Sequence, residues 1–175
     1  MARLYFINNY DIISRMVSLF NFFIMIHLRD ITKTNLISII DLDVSEEQKD
    51  QVASNSVSIA QAHYSNSAWF KGIFNDDIAI GFVMLDLIKE ENKCFLWRFM
   101  IDKKYQGRGY GKMALTQVIH YIKSLKVYDE IKTSYVPKKN DAKGFYKNFG
   151  FIECDEVIKE FGIEDSDEIG MKYTL

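Results

Sequence analysis

Proline is almost missing from this chain. Pro137 is the only one in 175 residues, so no proline-rich linker divides it into units. Cysteine is scarce as well: Cys94 and Cys154 are too few for a disulfide framework. The histidines His27, His63 and His120 are scattered, and neither cysteine pairs with one at metal-ligand spacing. No metal site is expected. An excess of one charge is also lacking, with 22 Lys and Arg against 24 Asp and Glu and a net charge of −2. Nucleic-acid binding leaves a basic stripe as its footprint, so no nucleic-acid partner is expected.

Long apolar runs are missing too. The nearest approach is residues 12–24, which Arg15 and Asn21 interrupt. A membrane-spanning helix needs about twenty apolar residues, so no membrane partner is expected. A signal peptide would carry basic residues first and small ones at a cleavage site. Arg3 is weak and no Ala-x-Ala follows, so a cytoplasmic location is expected. Ile12, Ile13, Met16, Val17, Phe20, Phe23 and Ile24 share one helical face, with Asp11, Ser14, Arg15, Ser18 and Asn21 opposite. Residues 1–24 read as an amphipathic extension, packed on the domain or on a partner. Residues 25–175 read as one domain, which fits the length and an apolar content of 48%.

What is present is glycine in one place. Gln106-Gly107-Arg108-Gly109-Tyr110-Gly111 packs three of nine glycines into five residues. Before it, Phe95–Ile101 is apolar except for Arg98 and reads as a buried strand. After it, Leu115, Val118, Ile119, Ile122 and Leu125 follow helical spacing. Glycine lets backbone N–H groups face a ligand with no Cβ in the way. The helix start adds about half a positive charge. Strand, glycine turn and helix together make a cradle for phosphate or pyrophosphate. Two familiar cradles fail. The dinucleotide fingerprint needs Gly-x-Gly-x-x-Gly, and these glycines are spaced otherwise. The nucleoside-triphosphate loop needs Gly-Lys-Ser/Thr, and Met113 follows Gly111-Lys112.

The remaining elements follow from periodicity. Met25–Ile31 alternates as a strand, and Thr32 or Thr34 caps a short helix through Ile40. Ser45-Glu46-Glu47-Gln48 is a capping box that starts a second helix, to about His63, with a break near Ser54–Ser56. Trp69–Phe74 and Ile78–Ile88 are strands joined by a turn at Asn75-Asp76-Asp77. Glu130–Val136 is a strand, and Lys139–Asn148 is a helix ending at Gly150. Phe151–Val157 and Glu168–Thr174 read as closing strands joined by an acidic loop. The order β-α-α-β-β-β-α-β-α-β-β implies an α/β (α+β) fold, a central mixed sheet with helices on both faces.

Gln106-x-x-Gly109-x-Gly111 resembles the acetyl-CoA motif of the GNAT superfamily of N-acetyltransferases, and the element order is that of its fold, with a mostly antiparallel sheet. The resemblance covers residues 25–175. It implies acetyl-CoA as acetyl donor, held by Gln106, Gly107, Arg108, Gly109, Tyr110, Gly111 and Lys112. It also implies that the central strand splays from its neighbour, so that main-chain groups of Phe99, Met100 and Ile101 pair with the pantetheine amides. Ala142-Lys143-Gly144-Phe145-Tyr146, then Phe149-Gly150-Phe151, resembles the family helix whose tyrosine sits beside the thioester sulfur; the matching catalytic residue is Tyr146. An asparagine often precedes that alanine by three; here Lys139 stands there, and Asn140 reaches the pantetheine arm or only caps the helix. Trp97–Gly107 and the stretch Glu47-Gln48 … Val52-Ala53-Ser54-Asn55 … Ser58-Ile59 look like bacterial spermine/spermidine N-acetyltransferases. The implied acceptor is a small-molecule amine, a polyamine foremost.

Direct transfer needs a neutral amine. An alkyl amine has a pKa near that of lysine, about 10.4, so deprotonating it at neutral pH costs roughly 4–5 kcal/mol. A base is therefore expected, and the strand Phe95–Ile101 holds no carboxylate. Asp86 and Glu90 are the candidates, acting through water, while Glu47 and Asp50 are candidates for attracting a polycation. Asp86 and Glu90 also read as solvated surface charges, and Glu47 as a residue that only favours the positive end of its helix. Another primary amine (an amino acid, an aminoglycoside or a protein N-terminus) and a non-catalytic acyl-CoA-binding module are the alternatives; a homodimer is compatible with the resemblance.

Overall fold

The computed structural model describes residues 26–164 and 167–175. The amphipathic extension expected at residues 1–24 lies outside them. Seven strands form one sheet in the order β1-β2-β3-β4-β5-β7-β6. They are β1 (Ile26–Arg29), β2 (Ala68–Asn75), β3 (Ile78–Ile88), β4 (Lys93–Ile101), β5 (Glu130–Tyr135), β6 (Ile152–Glu153) and β7 (Ile169–Thr174). Every junction is antiparallel except β4–β5, which is parallel. Five helices complete the described chain: α1 (Leu36–Ile40), α2 (Asn55–His63), α3 (Tyr110–Leu125), α4 (Lys143–Lys147) and α5 (Glu156–Glu160).

The sheet divides the interior into two cores. On one face α3 lays Ala114, Leu115, Val118, Ile119 and Ile122 against Ile73, Val83, Leu85, Leu96 and Ile131. Full burial of such a side chain contributes about 1.5–3 kcal/mol, so this stripe holds the helix and fixes where its N-terminus points. On the other face Ile39, Val44 and Ala62 pack against Phe74, Phe82, Met84 and Met100.

Three boundaries differ from the sequence reading. Ser45 does form a capping box with Gln48, but it caps a single 3₁₀ turn, Glu46–Gln48. The true helix starts nine residues later, where the Ser54 hydroxyl accepts from the Val57 N–H. Lys139, Asn140 and Asp141 are not helical. Asn140 has φ of 62°, and the Asp141 carboxylate takes the Lys143 N–H at 3.0 Å. The strand expected over Phe151–Val157 stops after Glu153, and α5 follows. Val157 buries completely, and Phe161 stacks on Phe95 at 4.4 Å. Those two residues are four apart, a helical spacing rather than a strand spacing.

Candidate active site

The site begins where the sheet opens. β4 and β5 share a single register pair, Phe95 with Lys132. The Thr133 hydroxyl donates to the Leu96 carbonyl at 3.0 Å, and beyond that point the strands part. A second irregularity adds to this. On β4, Arg98 faces Met84 and Leu96 faces Leu85, so Trp97 is an extra residue, a bulge at the opening. The result is a cleft of about 900 Å³. At one end lie Gln106, Gly107, Gly109 and Gly111; at the other lie Trp97, Arg98, Ser134 and Glu168.

The backbone of β4 lines the gap by alternation. The Met100 carbonyl faces β3, since a Cβ on Gly81 would meet it at 2.4 Å. The Asp102 N–H donates to Ile80 at 2.8 Å. Successive peptide groups point to opposite sides, so Phe99 and Ile101 present theirs to the cleft. The sequence reading included Met100 among the main-chain contacts; its backbone is committed to β3. The edge made by Phe99 and Ile101 is suited to pair with an amide-bearing chain.

The glycine loop ends in the first turn of α3. Gly109 caps the helix with φ of 82°, a left-handed geometry that glycine adopts at no steric cost. A Cβ at Gly107 or Gly109 would meet nothing within 4 Å, so the space beside the loop is open. The first N–H groups of a helix have no partner within it. Those of Tyr110, Gly111 and Lys112 therefore point at that space, which fits a pyrophosphate. Gln106 serves differently. Its amide nitrogen donates to the Ile101 carbonyl at 2.8 Å and to Gln48 Oε1 at 2.9 Å, tying the loop to β4 and to the 3₁₀ turn. The Arg108 guanidinium lies over the Tyr105 ring. Asp102, unmarked in the sequence, is buried beneath. Its carboxylate accepts the Asp43 and Lys104 N–H groups at 3.0 and 2.9 Å.

Tyr146 lines the cleft from α4. It packs between Phe145 and Phe151, with ring centres 5.4 Å from each, and Phe145 stacks on Phe99. Burial pushes the phenol up to about 12, against a weaker opposite pull from its hydrogen bond with Thr133. The hydroxyl thus keeps its proton at neutral pH and can donate it to developing negative charge.

Other expected residues fall elsewhere. Asn140 donates to Glu47, and Lys138 pairs with Asp50 at 3.3 Å. These contacts join the β5–α4 loop to the 3₁₀ turn region. Asp50 lines the cleft, whereas Glu47 and Asn140 do not. Asp86 is level with Phe95 on the neighbouring strand, but its carboxylate accepts the Ser67 hydroxyl and does not line the cleft. Glu90 lies in the 3₁₀ turn before β4, far along the strand from the glycine loop. The structure instead brings Arg98, Ser134 and Glu168 to the cleft. Alternation in β5 was the available signal for Ser134: Ile131, Thr133 and Tyr135 are buried, so Ser134 faces the other way.

Residues 28–151 match the Acetyltransferase (GNAT) family. The chain belongs to that family. It is an N-acetyltransferase, and acetyl-CoA is its acetyl donor. The spermine/spermidine N(1)-acetyltransferase of Bacillus subtilis is 32% identical over 135 residues, 72% of this chain and 87% of its own. Among solved structures, the PaiA N-acetyltransferase of Thermoplasma acidophilum in complex with coenzyme A superposes with a TM-score of 0.64 at 20% identity, covering 87% of this chain and all of its own. A GNAT family acetyltransferase of Staphylococcus aureus gives 0.62 at 21% identity, over 86% of this chain and 99% of its own. Among the described residues no helix is long and apolar enough to cross a membrane.

Proposed function

We propose that the enzyme acetylates one primary amine of a polyamine such as spermidine or spermine. The observation that carries this reading is the 32% identity, across most of both chains, with a spermine/spermidine acetyltransferase. The acidic residues Asp50 and Glu168 on the cleft wall support it, since a polycation needs negative charge near its path.

The chain's own residues divide the chemistry as follows. The glycine loop and the first turn of α3 hold the pyrophosphate of acetyl-CoA. The backbone edge at Phe99 and Ile101 orients the pantetheine arm, which places the thioester near the point where β4 and β5 part. The amine nitrogen attacks the acetyl carbon there; the C–N bond forms and the C–S bond breaks. Tyr146 donates to the departing sulfur. A thiol of pKa about 8.5 is a fair leaving group, so the donated hydrogen bond assists rather than decides.

One observation favours another acceptor class. Arg98 lines the same cleft, and its Nε is buried with no hydrogen-bond partner among the described residues. A cation there would suit an amine that also carries a carboxylate, as an amino acid does. Initial rates with spermidine, an amino acid, an aminoglycoside and a peptide N-terminus separate the two. A preference for spermidine upholds the polyamine reading, and a preference for the amino acid replaces it.

A further inference from the structure

We propose that Glu168 receives the ammonium group of the acceptor and takes its proton. The inference rests on the amine-acetylating reading above and names the base that reading requires. Three carboxylates line the cleft: Asp50, Asp141 and Glu168. Asp50 is paired with Lys138. Asp141 takes the Lys143 N–H at the start of α4, on the same side of the sheet as Tyr146. Glu168 stands where β4 and β5 part, on the opposite side.

The argument turns on two neighbouring residues of β5. Thr133 bridges to the Leu96 carbonyl at the last paired point of β4 and β5, and it lines the cleft together with Tyr146. Ser134, the next residue, points to the other face, and its hydroxyl donates to Glu168. A proton donor and a proton acceptor thus flank the opening from opposite faces of one strand. Acyl transfer through a tetrahedral intermediate uses both groups: the acceptor nitrogen must be stripped of a proton to attack, and the sulfur gathers negative charge as it departs. The glycine loop and Tyr146 take the donor end, which leaves the end with Glu168, Ser134, Trp97 and Arg98 for the acceptor. Arg98 lines the same cleft; burial pulls its guanidinium down and the Glu168 charge pushes it back up.

The step balances without a further reagent. The ammonium gives one proton to the Glu168 carboxylate, which becomes the neutral acid. The freed lone pair forms the C–N bond, and the C–S electron pair leaves on sulfur, where Tyr146 donates to it. The second amine proton passes from the attacking nitrogen through water to the thiolate, which leaves as the thiol while Tyr146 keeps its own proton, and Glu168 gives its proton to water.

The test compares wild type, Glu168→Gln and Ser134→Ala. The readouts are acetyl-CoA affinity by calorimetry, and kcat/KM for spermidine and for a weakly basic amine that is already neutral at the assay pH. Glutamine keeps the shape and the hydrogen bond from Ser134. A positioned base contributes about 10²–10⁴-fold, so Glu168→Gln should lose about that much with spermidine while its acetyl-CoA affinity stays the same. With the weakly basic amine the gap should shrink to less than about tenfold, because no proton needs removing. Ser134→Ala should lose less than Glu168→Gln. Equal losses with both amines would make Glu168 a structural residue and overturn the inference. So would a Glu168→Gln protein as fast as wild type, or one that fails to bind acetyl-CoA while Ser134→Ala remains fully active. A wild type that acetylates no amine removes the functional reading itself, and the inference with it; a wild type that turns over while Glu168→Gln matches it removes the inference alone.

Discussion

Removing one oxygen atom at Tyr146 gives the most informative perturbation. Tyr146→Phe keeps the ring between Phe145 and Phe151, so packing changes little. Burial holds the phenol at about 12, and the departing thiol has a pKa of about 8.5. That ordering makes complete proton transfer before the C–S bond breaks uphill. The contribution is therefore that of a hydrogen bond to developing charge, about 1.5–3 kcal/mol. That is about 10- to 150-fold in kcat. The acetyl-CoA dissociation constant should not change, because the interaction forms only as charge develops. The pH dependence has a definite sign. A raised pKa delays loss of the proton, so the wild type should hold its rate through pH 10, where an ordinary tyrosine would titrate. The assay is kcat against pH for both proteins at saturating amine. A mutant with wild-type kcat would refute the reasoning. So would a mutant whose defect is weaker acetyl-CoA binding.

Three further outcomes are expected. Gly109→Asp should weaken acetyl-CoA binding by at least about a hundredfold in calorimetry, since it sets an anion beside the helix start; any side chain is strained at φ of 82°, so Gly109→Asn, with the same strain and no charge, should lose clearly less. Asp102→Ala removes the acceptor of two backbone N–H groups, and at about 1.5–3 kcal/mol per charge-assisted bond the denaturation midpoint should fall clearly. Burial pushes the Cys94 thiol up to about 12, so the native protein should show Cys94 inert to a thiol reagent at pH 8, with Cys94 reacting only on unfolding. We also propose that residues 25–175 form the whole catalytic unit; a chain starting at Met25 should keep full activity, and its aggregation would show that residues 1–24 cover a surface of the domain.

The fold was legible because the strong signals were local. Apolar periodicity from Leu115 to Ile122 marks α3, and the glycine spacing before it marks the cradle. Both depend on neighbours in sequence, which a one-dimensional reading can see. The capping box at Ser45 was read correctly as chemistry and wrongly as the start of a long helix. Asn140, Asp141 and the α5 segment were misread because tertiary contacts decide them: Asn140 reaches back to Glu47, 93 residues away, and Phe161 folds onto Phe95. Tyr146 could be named from its motif, but the Ser134–Glu168 contact could not. It depends on how strands β5 and β7 register, with Ser134 level with Gly170. The orientation of Asp86 was hidden in the same way, since a contact distant in sequence sets it. Asp86 lies level with the cleft strand, but its carboxylate turns toward Ser67.

The central claim is that this enzyme moves an acetyl group from acetyl-CoA to a polyamine nitrogen. Thiol release from acetyl-CoA, measured at steady state against a panel of amines with the product identified by mass, tests it most directly. The account predicts release that depends on spermidine or spermine, a product heavier by a single acetyl group, and a kcat/KM at least about tenfold above that for amino acids, aminoglycosides and peptide N-termini. Release that does not depend on any amine, or a higher kcat/KM for one of the other acceptors, would contradict it.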